Sequence, residues 1–151
     1  MKKLILTGTS FLTIIGASAF AQNAAAPEQT TIAGHSLSIQ IQGVRTRSGH
    51  IMIGLCSEAE YDSGERCALG KIVPIRDIGQ PIVIENVPDG TYSVKLFHDV
   101  NGNNRLDTNA MGIPREPYGF SNNARGRFGP AKFEDASFII NKATSIAIRL
   151  N

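Results

Sequence analysis

The sequence predicts an all-β fold, an Ig-like/prealbumin-like antiparallel β-sandwich of about seven strands with one long ordered loop. Three observations carry this reading. Short segments alternate apolar and polar residues, as half-buried strands do. Clusters of Gly, Pro, Asn and Asp separate those segments. No segment shows a convincing helical period.

The first strand is read from Leu37, Ile39 and Ile41, which alternate with Ser38, Gln40 and Gln42. Residues 45–49 turn the chain, and Ile51, Ile53 and Leu55 repeat the alternation up to Cys56. Ser57 to Gly70 is polar and is expected to be a loop. In the apolar run Ile72 to Ile75, Pro74 has no N–H for a ladder and argues for a sheet edge. Pro81 to Val87 gives another strand. Pro88-Asp89-Gly90 is then a tight turn, with Pro fixing φ and Gly free to take positive φ. Tyr92, Val94 and Leu96 face one way on the next strand, which delivers His98 and Asp99 at its end. Beyond the long loop, Ala136, Phe138 and Ile140 alternate, Asn141-Lys142 turns, and Ile146, Ile148 and Leu150 complete the set. Two sheets packed face to face would bury every apolar face.

The N-terminal stretch reads as an address. Lys2 and Lys3 precede an apolar run from Leu4 to Ile15, and Ala19-Phe20-Ala21 is an A-x-A cleavage signal. Residues 1–21 are therefore expected to be a signal peptide, 22–34 a flexible mature N-terminus, and 35–151 a single sandwich domain. The apolar run is too short for a transmembrane span, and none is expected in the mature chain. Export to the periplasm or outside the cell follows as the expected localisation.

Export also changes the charge argument. The chain carries a net charge of +2, with 15 basic and 13 acidic residues. Removal of the two signal-peptide lysines leaves 13 basic residues against the 13 acidic ones. That balance gives no electrostatic case for nucleic acid or for an anionic membrane. Cys56 and Cys67 are the only cysteines, so an oxidising compartment allows one intramolecular pairing, a structural disulfide.

The chemistry concentrates between His98 and Pro130, a stretch rich in Asn, Asp, Gly, Pro and Arg. A structureless segment of roughly 30 residues inside a compact domain is usually functional or disordered. Asp99, Asn101, Asn103 and Asp107 occupy positions 1, 3, 5 and 9 of a run like the calcium loop D-x-[DN]-x-[DN]-G. Alternate residues of a tight turn can converge their oxygens, and calcium takes six to eight oxygen ligands. Position 6 is Asn104 rather than Gly, and position 12 is Ala110, so the bidentate Glu of an EF-hand is missing. Glu116 could supply that carboxylate if the chain folds back, as could Asp135 beyond the loop. A purely structural origin is also open, because Asn and Asp abound in ordinary turns. Zinc fits the loop less well, because its usual ligands are His and Cys and the loop holds His98 alone.

Several stretches resemble one bacterial family: Val87-Pro88-Asp89-Gly90-Thr91-Tyr92, His98-Asp99-Val100-Asn101-Gly102-Asn103, Leu106-Asp107-Thr108-Asn109, Gly112-Ile113-Pro114-Arg115-Glu116, Tyr118-Gly119-Phe120-Ser121-Asn122-Asn123 and Phe133-Glu134-Asp135-Ala136. The family is domain-of-unknown-function family 2141. The resemblance covers roughly the whole mature chain and implies a small exported β-sandwich protein, with no catalytic residues to carry over. The loop is also similar to the calcium-binding D-x-N-x-N-G-x-x-D loops of bacterial surface-protein B-type repeats, from which Asn104 departs.

Catalysis has weaker sequence support. Ser121, His98 and Asp99 supply a nucleophile, a base and a carboxylate, but without a G-x-S-x-G elbow. Asp107 and Glu116 could pair for glycoside hydrolysis, although nothing in the sequence fixes their separation. A hydrolase-type enzyme using these carboxylates and His98 is the alternative to the main expectation. That expectation is a non-catalytic binding or structural module, with calcium as the one cofactor suggested. Arg and aromatic side chains are enriched at recognition surfaces. His98, Arg115, Tyr118 and Phe120 are thus the candidates for contact with a protein, peptide or glycan, although Tyr118, Phe120 and Phe128 could instead anchor the loop.

Overall fold

The computed structural model describes residues 34–64 and 66–151. The expected signal peptide and all but Gly34 of the expected flexible N-terminus lie outside these residues. The described strands are β1 (His35–Gln42), β2 (His50–Cys56), β3 (Leu69–Pro74), β4 (Ile82–Val87), β5 (Gly90–Asp99), β6 (Tyr118–Phe120), β7 (Phe138–Ile140) and β8 (Thr144–Arg149). Two short helices, α1 (Glu58–Ser63) and α2 (Phe133–Ala136), accompany them.

The strands form two sheets, as expected of a sandwich. One has the order β4-β1-β8; the other runs β3-β2-β5-β6, with β7 pairing the opposite end of β5. Period-2 alternation explains the interior. Leu37, Ile39, Ile51, Leu55, Val94 and Ile148 are almost wholly removed from solvent and belong to a single apolar cluster. Burying a side chain of this size is worth roughly 1.5–3 kcal/mol, so this cluster supplies the main drive for folding. Pro74 does lie in an edge strand, since β3 ends the larger sheet.

The structure refines the expected strand set. There are eight described strands, and one ladder is parallel: β1 pairs β8 in register from Leu37↔Thr144 to Gln42↔Arg149. The cause is a change of sheet. β7 pairs with β5, and after residues 141–143 the chain enters the other sheet beside β1, running the same way.

The stretch after β2 also holds more order than its polarity suggested. Ser57 starts α1, and the Glu60 carboxylate accepts the Ser57 N–H at 2.8 Å and the Ser57 hydroxyl at 2.9 Å. It also accepts the Ala68 N–H at 2.7 Å, which draws the end of this connection back to the helix start. Gly64 closes α1 with φ of 72°, a left-handed value that Gly reaches without strain. The Cys56–Cys67 disulfide spans the connection with Cα atoms 4.8 Å apart. Gly54 leaves room for it, because a Cβ there would meet the Cys67 sulfur at 2.8 Å.

Candidate functional site

The loop between β5 and β6 is organised by two carboxylates that face inward. Asp99 ends β5 and has no solvent exposure. Its Oδ1 accepts the N–H groups of Gly102 at 2.7 Å and Asn103 at 3.1 Å, and its Oδ2 accepts that of Asn104 at 2.7 Å. Three successive amides thereby converge on one side chain, which requires a tight curl. Gly102 and Asn104 supply it with φ of 77° and 61°. Asn is among the few non-Gly residues that visit this region routinely, so the departure at position 6 keeps the turn.

Burial works to raise the Asp99 carboxyl pKa. The N–H groups of Asn104, Gly102 and Asn103, with His50 beside them, outweigh burial and hold it below the ordinary Asp value.

Glu116 is the second inward carboxylate. Its Oε1 accepts the Val100 N–H at 2.9 Å and its Oε2 the Asp107 N–H at 3.0 Å, so it ties the two ends of the curl together. Between them, Asn101, Asn103 and Asp107 meet on the outer side. Asp107 Oδ2 accepts from the Asn101 amide at 2.7 Å, and Oδ1 from the Asn103 amide at 3.0 Å. Asn101 and Asn103 also cap their own turn, accepting the N–H groups of Asn103 and Arg105 at 3.1 and 2.9 Å.

The rest of the loop is a small hairpin. Arg115 N–H donates to the Asp107 carbonyl at 2.8 Å, Thr108 bridges Pro114, and Asn109 accepts from Met111 and Ile113 at the tip. Its base is closed by the His98 N–H donating to the Pro117 carbonyl at 2.8 Å.

The structure thus brings Asp99, Asn101, Asn103, Asp107 and Glu116 into one network. It places the other candidates differently. His98 is fully buried, with Nε2 2.8 Å from the Ser48 carbonyl, and it holds the turn before β2. Arg115 is exposed, Tyr118 is half-buried and Phe120 is buried. Tyr118 and Phe120 meet edge to face at 5.9 Å, and Phe120 lies 6.4 Å from Tyr61 of α1, in a second apolar cluster with Ala131 and Ala136. These two rings do anchor the loop end, whereas Phe128 is almost fully solvated. Asp135 takes no part in the cluster around Asp107; its carbonyl receives the Asn122 amide at 3.2 Å.

Ser121 is also buried. Its Oγ accepts the Val94 N–H at 2.8 Å and donates to the Ala136 carbonyl, tying β5 to α2. The next two residues extend the tie. Asn122 donates to the Ser137 carbonyl at 2.9 Å, and Asn123 accepts the Arg149 N–H at 2.8 Å. Both asparagines hold positive φ, 57° and 52°. The Ser-Asn-Asn run itself was the available signal, since these residue types cap backbone groups that a regular ladder leaves open.

No group of three or more His, Cys, Asp or Glu side chains suited to a metal ion occurs among the described residues. The oxygens on the loop's outer side come from one acid, Asp107, and two amides, Asn101 and Asn103, a type that hard cations accept and zinc does not favour. Among the described residues no helix is long and apolar enough to cross a membrane.

A family model described as "uncharacterized protein conserved in bacteria", domain-of-unknown-function family 2141, matches residues 39–147. No curated protein and no solved structure matches the chain.

Proposed function

The chain belongs to bacterial domain-of-unknown-function family 2141, and we propose that it is an exported, non-catalytic binding or structural module whose Asx-rich loop is fixed by calcium. The observation that carries this reading is the meeting of Asn101, Asn103 and Asp107 on the outer side of a curl that Asp99 nucleates. Positions 3 and 5 of a calcium loop come within hydrogen-bonding distance of the carboxylate at position 9 there. Each amide oxygen keeps a second lone pair beyond its turn bond. Calcium draws on such amide oxygens, carboxylates, backbone carbonyls and water together. The fixed loop would present the exposed Arg115 to a protein, peptide or glycan.

The hydrolase alternative asks its residues to reach a substrate. Both Glu116 oxygens are committed to backbone N–H groups, and His98, Asp99 and Ser121 have no exposed surface. A general acid or base must come within hydrogen-bond reach of the reacting group. The arrangement therefore favours binding over turnover.

Thermal melts in EDTA and in calcium test the proposal. A ligand that binds only the folded state stabilises it by about 2.7 kcal/mol at a hundredfold excess over Kd. Calcium should raise Tm for the wild type and leave Asp107→Ala unmoved. Superimposable wild-type curves would overturn the calcium reading.

A further inference from the structure

We propose that the outward face of the larger sheet carries a second site, a groove that takes a small amphipathic anion. The register across four strands builds it. Ile72, Met52, Phe97 and Tyr118 are cross-strand neighbours in that order and form one continuous apolar row. Two residues along, Gly70, Gly54, Lys95 and Phe120 make the adjacent row. Side chains two apart on a strand share a face, so both rows lie on the same side of the sheet. The Cys67 sulfur covers Gly54 in this second row, so the disulfide and Lys95 flank the apolar row there.

This face is only partly covered. Ile72 is 56 % exposed, while Met52, Phe97 and Tyr118 are half-buried. Tyr61 of α1 bounds one side, and Asn104 to Leu106 of the Asx-rich loop bound another. The half-open groove measures about 800 Å³, within the range of ligand sites that combine an apolar lining with a few placed polar groups. A standing row of large apolar side chains in such a groove marks a binding surface.

Charge selects the occupant. Arg66, Lys71, Lys95 and Arg105 line the groove, and no Asp or Glu does so among the described residues. Lys71 is already engaged, with Nζ 2.7 Å from the Val83 carbonyl. The Lys95 ammonium sits 5.4 Å from the centre of the Tyr61 ring. Glu60, the carboxylate that senses Lys95, is occupied by Ser57 and Ala68. Lys95, Arg66 and Arg105 thus present positive charge over an apolar floor. The fitting ligand has a carboxylate or sulfonate head and an apolar body. The calcium reading is not needed for this site.

Binding of 8-anilinonaphthalene-1-sulfonate and of dodecanoate to the folded mature protein tests the proposal. Dodecyltrimethylammonium and octyl glucoside serve as cationic and uncharged controls. At least one anionic probe should bind at one-to-one stoichiometry, and neither control should compete. The aromatic and alkyl arms identify which apolar body the floor prefers. Loss of a charge-assisted contact is worth about 1.5–3 kcal/mol, so Arg105→Gln should weaken anion binding by roughly tenfold or more. Lys95→Gln should do likewise and Lys95→Arg should restore affinity, while Lys142→Gln, outside the groove, should leave it unchanged. Because Arg105 is exposed, its variant stays informative even if Lys95→Gln disturbs the Tyr61 contact. Failure of both anions to bind, equal binding of the cationic amphiphile, or wild-type affinity in Arg105→Gln would overturn the proposal.

Discussion

His50 stands opposite Asp99 across the β2–β5 ladder, and its Nε2 lies 3.1 Å from the Asp99 Oδ2. The contact lacks the alignment of a hydrogen bond, and the imidazole nitrogen has no other partner. It therefore acts on Asp99 as a nearby charge whenever the ring is protonated. With three backbone N–H groups it keeps the carboxyl pKa low despite burial. A depressed folded pKa gives stability that is fully present above the unfolded Asp value of about 3.9 and is lost as pH falls through the folded value. Urea denaturation should show that Asp99→Asn is less stable than wild type at neutral pH. The gap should narrow as pH drops below about 4. A gap of constant size down to strong acid would contradict the assignment.

Glu116 should be the second stability determinant of the loop. Replacing it by Ala strands the Val100 and Asp107 N–H groups at a site with 8 % exposure. Leaving buried donors unmet costs about 1–3 kcal/mol. Hydrogen exchange should accelerate at those two amides before it does in β2 or β5.

Asn104 separates the backbone demand of the curl from its side-chain chemistry. Its φ of 61° costs a residue with a plain Cβ roughly 1–2 kcal/mol. Asn104→Ala should therefore lower the chemical-denaturation midpoint, while Asn104→Gly should stay within a few tenths of a kcal/mol of wild type, by order of magnitude. Equal losses in both variants would mean that the amide side chain, rather than φ, matters.

The Cys56–Cys67 bridge closes a short loop, with a sequence separation of 11. The chain-entropy account assigns a loop of this size about 3 kcal/mol. The double Cys→Ser variant should lose about that much while keeping the β-type far-ultraviolet signal. The bridge holds α1 in place but supplies none of the strand pairing.

Ser121 ties β5 to α2 through one hydroxyl. Ser121→Ala leaves the buried Val94 N–H without its acceptor and should cost about 1–3 kcal/mol. Ser121→Thr keeps the oxygen but adds a methyl group to a fully buried position, and should recover only part of the loss.

The strands were legible because alternation is a local signal. Ile51, Ile53 and Leu55 declare their face wherever β2 pairs. Pro74 declares an edge because it lacks an N–H. The loop acids could be singled out by spacing alone, yet spacing does not say which way a carboxylate faces. Asp99 follows His98 on the strand and so points to the other face, but it is just as buried, because residues 102–104 fold over it. The curl that buries it depends on Gly102 and Asn104 together. Ser57 and Glu60 have the spacing of a capping box, but no apolar stripe accompanies them to mark α1 as a helix. The β1–β8 pairing had no local signal at all, since parallel neighbours are set by the path of the whole chain.

That pairing has a kinetic meaning. Strand β1 is central in its sheet only once β8 has been made, more than a hundred residues later along the chain. Contacts of such long sequence separation slow folding, because the chain must lose the entropy of closing a large loop before they form. Until then one edge of β1, with its row of open backbone groups, is available to any other strand. A chain passing through a membrane channel in extended form would keep that edge unsatisfied to the last moment. The protein's exposure to misassembly is therefore decided less by the finished sandwich than by the interval before its final strand arrives.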